Sequence, residues 1–190
     1  SGKRTRIRTF EAFNRPQPEA AAAGEAVGFT LQEQIYVARG ELAALSHERR
    51  PEISSRLRVS LFWLGRQPLV KKKDYLLKLG SARVTMRLEA VHRVIDASNL
   101  ESSDQKDRVE RHEVAECTLV CQRAIAFDLA DAIAATSRFV IIDAFEISGG
   151  GIIREALSDR QEGVREKVLL REYKWEPSGI APERRAARFA

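Results

Sequence analysis

The chain has 190 residues, 44% hydrophobic and 31% charged, with a formal net charge of +5. That composition suits an ordinary globular protein with enough length for one or two cores. It excludes a helical membrane protein, because no apolar run approaches the roughly 18 residues that a span requires. The basic start SGKRTRIRTFEAF has neither the apolar stretch nor the small-residue cleavage site of a secretory signal. A cytoplasmic protein with no membrane partner is therefore expected. The positive charge is spread along the chain and permits a polyanionic partner without demanding one.

In chain order, Thr5 to Phe13 reads as a short strand, Pro16 and Pro18 as a loop, and AAAGEAVGFTL as a second strand region holding Gly24 and Gly28. The alanines of EAAAAGEA favour a helix, but Gly24 interrupts them and the prolines leave little room. These runs read as the closing strands of a barrel. Val37 to Leu45 turns at Gly40, and HERRPEISS reads as a polar linker ending near Ser55, where a domain boundary is expected.

A strand follows with Leu57, Val59, Leu61 and Trp63 on one face and Arg58 and Ser60 on the other. Pro68 and the lysines at 71 to 73 predict a turn. YLLKLG and ARVTMRLEAV predict a hairpin whose second strand alternates Val84, Met86, Leu88 and Ala90 against polar neighbours. NLESSDQKDR, residues 99 to 108, predicts an exposed loop.

Val114 to Cys121 resumes the alternation, with Ala115, Cys117, Leu119 and Cys121 on one face. On a strand the two cysteines stand about 13 Å apart, too far for a disulfide. On a helix the same spacing would bring them together, but a second ligand pair is missing. Buried thiols are expected. Phe127 to Thr136 predicts one helical turn capped by Asp128. FVIIDAFEI, 139 to 147, reads as a near-continuous apolar strand, and Gly149 to Gly151 as a tight turn into the strand GIIREAL. From Ser158 the chain is charged and broken by Pro177, Gly179 and Pro182, the pattern of a linker. Pro182 ahead of good helix formers suggests a further domain beyond Ala190.

The chemistry-bearing candidates are few. The glycine triplet follows an apolar strand, where phosphate loops sit, but neither G-x-x-x-x-G-K-[ST] nor G-x-G-x-x-G occurs. His47, His92 and His112 have no H-E-x-x-H or C-x-x-C companion and read as surface or rim residues. Asp143 falls on the apolar face of its strand, so it needs a partner; a structural hydrogen bond is favoured over catalysis. Lys71, Lys72 and Lys73 with Arg66, and Arg4, Arg6 and Arg8 at the start, are candidate partner or phosphate contacts. No aromatic platform accompanies them, which favours a solvated turn. Trp63 is assigned to a core strand and Trp175 to a linker anchor. No catalytic, cofactor-binding or metal-ligating residue is named.

Two stretches carry a resemblance. IRTFEAFNRPQPEAAAAGEAVGFTL followed by VARGELAAL, with Gly24 and Glu25, Val27 to Leu31, and Arg39 with Gly40, resembles the closing half of the second barrel of translation-factor-type GTPases. The Pro68-Leu69 turn before Tyr75 to Gly80, the run Arg123 to Asp128, and Phe139 to Asp143 ahead of glycines are similar to the third domain of the GTP-binding large subunit of bacterial sulfate adenylyltransferase. Together the stretches cover most of residues 5 to 157. The polar insertion at 101 to 108 and the alanine-rich AFDLADAIAATS depart from that family's loops.

The resemblance implies an all-β fold: residues 1–50 closing an elongation-factor-type barrel domain two, 55–157 forming barrel domain three, and 158–190 a charged linker. It implies a non-catalytic fragment of a sulfate-activation enzyme, a transferase of sulfate assimilation. GTP, ATP and Mg would belong to the parent's missing domains. The implied partners are the missing GTPase domain, an adenylyltransferase small subunit and a downstream adenylylsulfate kinase domain. The alternative is an RNA- or tRNA-contacting barrel of an elongation factor-like GTPase, although nucleic acid is not the expected partner.

Overall fold

The computed structural model describes residues 3–14, 16–97, 102–103 and 106–158. The expected linker from 159 onward and its Trp175 therefore lie outside the described residues, as does part of the polar insertion.

The N-terminal segment forms a two-stranded antiparallel ribbon, β1 (Ile7–Glu11) with β2 (Gly28–Leu31). The alanine-rich stretch before β2 forms no helix, and Gly24 sits at φ +90, outside helical space. Gly40 turns the chain at φ +96 and packs against the barrel, where a Cβ on it would stand 2.9 Å from the Cα of Ala82. Arg39 Nε donates to the Ser81 carbonyl at 3.1 Å beside it.

The remaining strands are β3 (Glu52–Trp63), β4 (Tyr75–Leu79), β5 (Ala82–Asp96), β6 (Ser102–Ser103), β7 (Glu113–Phe127), β8 (Arg138–Asp143) and β9 (Glu146–Leu157), with one helical turn, α1 (Ala134–Ser137), before β8. The sheet runs β4-β8-β9-β3-β7-β5, and β4 pairs with β5 as well, so six strands close into a barrel with β6 on the edge of β5. All pairings between these strands are antiparallel. The all-β barrel expected from the sequence is what forms. Closure leaves few exposed strand edges.

The alternating residues point inward as the sequence predicts. Leu57, Val59, Leu61 and Trp63 of β3 are buried, as are Val84, Met86 and Leu88 of β5 and Ala115, Cys117, Leu119 and Cys121 of β7. Burying one such aliphatic side chain contributes about 1.5–3 kcal/mol, so this single core dominates the barrel's stability. Ala90 leaves the pattern because a register shift falls between Leu88 and Ala90.

Four local expectations are corrected. β3 begins at Glu52, inside the stretch read as linker, because Ser54 and Ser55 are buried and Ser54 Oγ donates to the Leu157 carbonyl at 2.7 Å. The loop at 99–108 holds the short β6, paired to Val94 and Ile95. α1 has Ile133 at its N-cap and no side-chain cap; Asp128 instead accepts from Thr136 Oγ1 at 2.5 Å. FVIIDAFEI is not one strand. It turns at Ala144 and Phe145, both at positive φ (46 and 71), which places Phe145 in water.

The fourth correction carries over to the glycines. Gly149 to Gly151 lie inside β9, paired on one side with Trp63, Phe62 and Leu61 and on the other with Ile141, Val140 and Phe139. They are glycines because of what they face. A Cβ on Gly149 would stand 2.6 Å from the Trp63 ring, and one on Gly151 2.2 Å from the Ser60 carbonyl oxygen. The triplet admits close packing, not a turn.

Candidate interaction surface at one rim of the barrel

One end of the barrel gathers the loop between β3 and β4, the start of β7 and the turn between β8 and β9. Trp63 plugs it from inside, fully buried, with its ring edge-on to Tyr75 at 5.9 Å and its Nε1 donating to the Gln67 carbonyl at 2.8 Å. Gly65 and Gly149 both pack their Cα against that indole. Leu69 and Val109, both fully buried, exchange backbone hydrogen bonds of 2.9 and 3.1 Å. The Pro68-Leu69 turn is thereby anchored to the opposite loop.

The lysines then diverge. Lys71 bridges to Leu88, Lys72 takes φ 65, and Lys73 turns back over the barrel. Lys73 Nζ donates to Asp143 Oδ2 at 2.6 Å and lies 5.1 Å from the centre of the Tyr75 ring. The hydrogen bond to Asp143 raises the Lys73 pKa, so this lysine stays charged and occupied. Asp143 has the partner that its inward position requires, at the end of β8 next to Phe139 and Ile141 on the same face. Tyr75 accepts from the Val70 amide at 2.9 Å, and burial pushes its phenol pKa up.

Among the described residues, Lys71, Lys72 and Arg66 are exposed on the loop between β3 and β4 and make no ion pair, whereas Lys73 is withdrawn into a clasp with Asp143. Arg4, Arg6 and Arg8 are exposed along the N-terminal segment instead. Sequence reasoning had no means to separate Lys73 from its neighbours, because its partner is 70 residues away.

The other candidates are accounted for locally. His92 Nε2 shares a hydrogen bond of 2.7 Å with Thr118 Oγ1, His112 is exposed and its amide donates to the Trp63 carbonyl at 2.8 Å, and His47 is exposed. Cys117 and Cys121 are buried free thiols whose pKa burial pushes up to about 12. Glu113, buried, accepts from Lys106 and from the Glu110 amide at 2.7 Å. The described residues hold no group of three His, Cys, Asp or Glu that could bind a metal, and the glycine amides lie within a strand ladder. No helix among them is long and apolar enough to cross a membrane.

Sequence reasoning missed the apolar residues of this rim. Leu64, Val114, Phe145 and Ile147 are all exposed there. The available signal was the pair Asp143 and Glu146 interrupting an apolar run, which flanks a two-residue hairpin turn.

Comparison with known proteins agrees with this architecture. The chain is 28% identical over 159 residues to sulfate adenylyltransferase subunit 1 of Shewanella woodyi, covering 83% of this chain and 33% of that protein. It is 30% identical over 158 residues to subunit 1 of Laribacter hongkongensis, covering 82% and 32%. The chain thus spans about a third of the length of these relatives. Among solved structures, Sup35 complexed with GDP superposes with a TM-score of 0.66 at 11% identity, over 81% of this chain and 38% of that one, a likeness of fold alone. Residues 56–154, which contain most of the closed barrel, match the family model described as GTP-eEF1A C-terminal domain-like, and the chain belongs to that family.

Proposed function

We propose that this chain is a positioning module of a sulfate adenylyltransferase large subunit, holding a partner and transmitting the state of a GTPase domain without doing chemistry itself. The observation that carries the reading is the 30% identity across 82% of the chain to a sulfate adenylyltransferase subunit 1. The barrel supports it physically. A closed antiparallel sheet around one core resists deformation, so a nucleotide-driven change elsewhere would move it as a rigid body.

In this reading residues 1–50 close a second barrel, 55–157 form the third domain and 158–190 lead toward an adenylylsulfate kinase domain. The ribbon supports the first assignment: Ile7 and Phe29 are exposed on its strands, and an isolated two-stranded ribbon is marginal in water. The partner would be the adenylyltransferase small subunit. GTP, ATP and Mg would act in the flanking domains, and the protein would work in the cytoplasm.

The test is direct. The 190-residue chain should bind purified adenylyltransferase small subunit and show no saturable affinity for GTP or ATP in calorimetry; tight GTP binding would sink the reading. A tRNA titration at rising salt separates the alternative, in which Lys71, Lys72 and Arg66 track phosphates and affinity falls steeply with ionic strength.

A further inference from the structure

A barrel packs its inward face and ordinarily shows water a polar outward one. On much of this barrel's outer wall the pattern holds. The row Arg138, Ile152, Ser60, Glu116 and Arg93 lies outward across five strands and is polar except at Ile152, and below it Arg58 pairs with Glu116 at 2.9 Å. One row nearer the rim the chemistry changes. Val140 aligns with Gly150, Gly150 with Phe62, Phe62 with Val114 and Val114 with Ile95, an apolar row across five strands in which no residue is buried. Gly150 leaves the wall without a side chain between Val140 and Phe62. Beyond it Leu76, Ile142 and Ile147 align in a second apolar row.

The turn above these rows is costly. Ala144 and Phe145 occupy left-handed backbone that asparagine and glycine adopt more cheaply, and Phe145 is 102% exposed. Nothing within the barrel repays an exposed aromatic at a strained tip. The loop that carries Arg66, Lys71 and Lys72 is tied to the patch at both ends: the Gly65 amide bonds the Ser148 carbonyl at 2.8 Å, and Lys73 reaches Asp143 two residues from Phe145. Glu146 is the exposed acid beside the tip.

We infer that the outer wall of β8, β9, β3, β7 and β5 at this rim is a protein-docking face, with Phe145 as its anchor. Its partner presents an apolar socket fringed by carboxylates. On the reading proposed above, on which this inference rests, that partner is the adenylyltransferase small subunit. A second copy of the chain fits less well, because a two-fold contact would face one basic border with another. Single-stranded nucleic acid also fits less well, since one aromatic amid aliphatic side chains is not a stacking platform.

The experiment compares the wild-type chain with Ala144→Asn/Phe145→Gly and with Val114→Thr/Ile147→Thr, measuring thermal melting, self-association by sedimentation, and binding to immobilised small subunit and to tRNA. The first variant should melt roughly 5 °C higher, since it relieves the turn, and should bind the small subunit roughly tenfold more weakly or worse. That combination of greater stability and lost binding excludes unfolding as the cause. Val114→Thr/Ile147→Thr should also weaken binding, and Lys71→Glu/Lys72→Glu should slow association. Wild-type affinity in both apolar variants overturns this inference and leaves the proposed function standing. Absence of wild-type binding overturns the proposed function and this inference with it. A wild-type dimer, or tRNA binding, that the Phe145 substitution abolishes would assign the face to those occupants instead and overturn the proposal as stated.

Discussion

Gly149, Gly150 and Gly151 look identical in sequence and sit in three different environments. A methyl group on Gly151 meets the Ser60 carbonyl at 2.2 Å, while one on Gly150 meets the Phe139 carbonyl at 3.1 Å and opens toward the outer wall. Gly151→Ala should therefore cost about 3 kcal/mol in urea unfolding, and Gly150→Ala should stay within about 1 kcal/mol of wild type. Equal effects would show that β9 shifts freely. The thiols make a second residue-level prediction. With pKa pushed up to about 12 by burial, Cys117 and Cys121 should be inert to thiol reagents in the native state and react only as fast as the barrel opens. Tyr75 supplies a pH dependence. Burial raises its folded pKa above the ordinary value of 10.0, so its contribution is complete below pH 10.0 and is lost as pH rises through the folded pKa. The melting temperature of wild type should fall above pH 10, and Tyr75→Phe should lessen that fall while costing about 1 kcal/mol at neutral pH, because the Val70 amide loses the hydroxyl that accepts from it.

At the scale of elements, period-two alternation made β3, β4, β5 and the first half of β7 legible, because each has one face buried and one wet. The hairpin of β4 and β5 closes through Gly80 at φ +53, where a Cβ meets nothing within 4 Å. Gly80→Ala should then cost about 1 kcal/mol from backbone conformation alone, measurable by thermal melting. Alternation failed at β8 and β9 for physical reasons. Val140 and Ile142 are apolar residues facing outward, so the run reads as continuous, and the two-residue turn carries Ala and Phe in place of the usual Asn and Gly. The glycines then drew the turn away from its true place. Asp128 misled similarly, its carboxylate serving Thr136 instead of the backbone amides of α1.

For the whole molecule, the all-β class was legible in the closely spaced alternating runs and the closed barrel in the family resemblance, whereas the candidate site was legible only in part. The basic residues are visible as a cluster, but which lysine is free depends on Asp143, and the apolar wall depends on cross-strand register. Both are long-range facts. Hydrogen exchange should show the six barrel strands, each paired on both sides, exchanging slowly, with the β1 and β2 ribbon exchanging much faster. Uniform protection across both would mean that ribbon and barrel open as one unit.

The Ser54 to Leu157 hydrogen bond places the barrel's entry and exit side by side, since β3 and β9 are neighbours in the sheet. Both lie at the pole where Arg39 and Gly40 touch the β4–β5 turn, and Phe145 and the free lysines lie at the other. The barrel is wired like a plug. Its covalent connections leave from one pole, so it can be inserted into or excised from a longer polypeptide, or circularly permuted, without threading chain across the opposite pole, which remains open to whatever docks there.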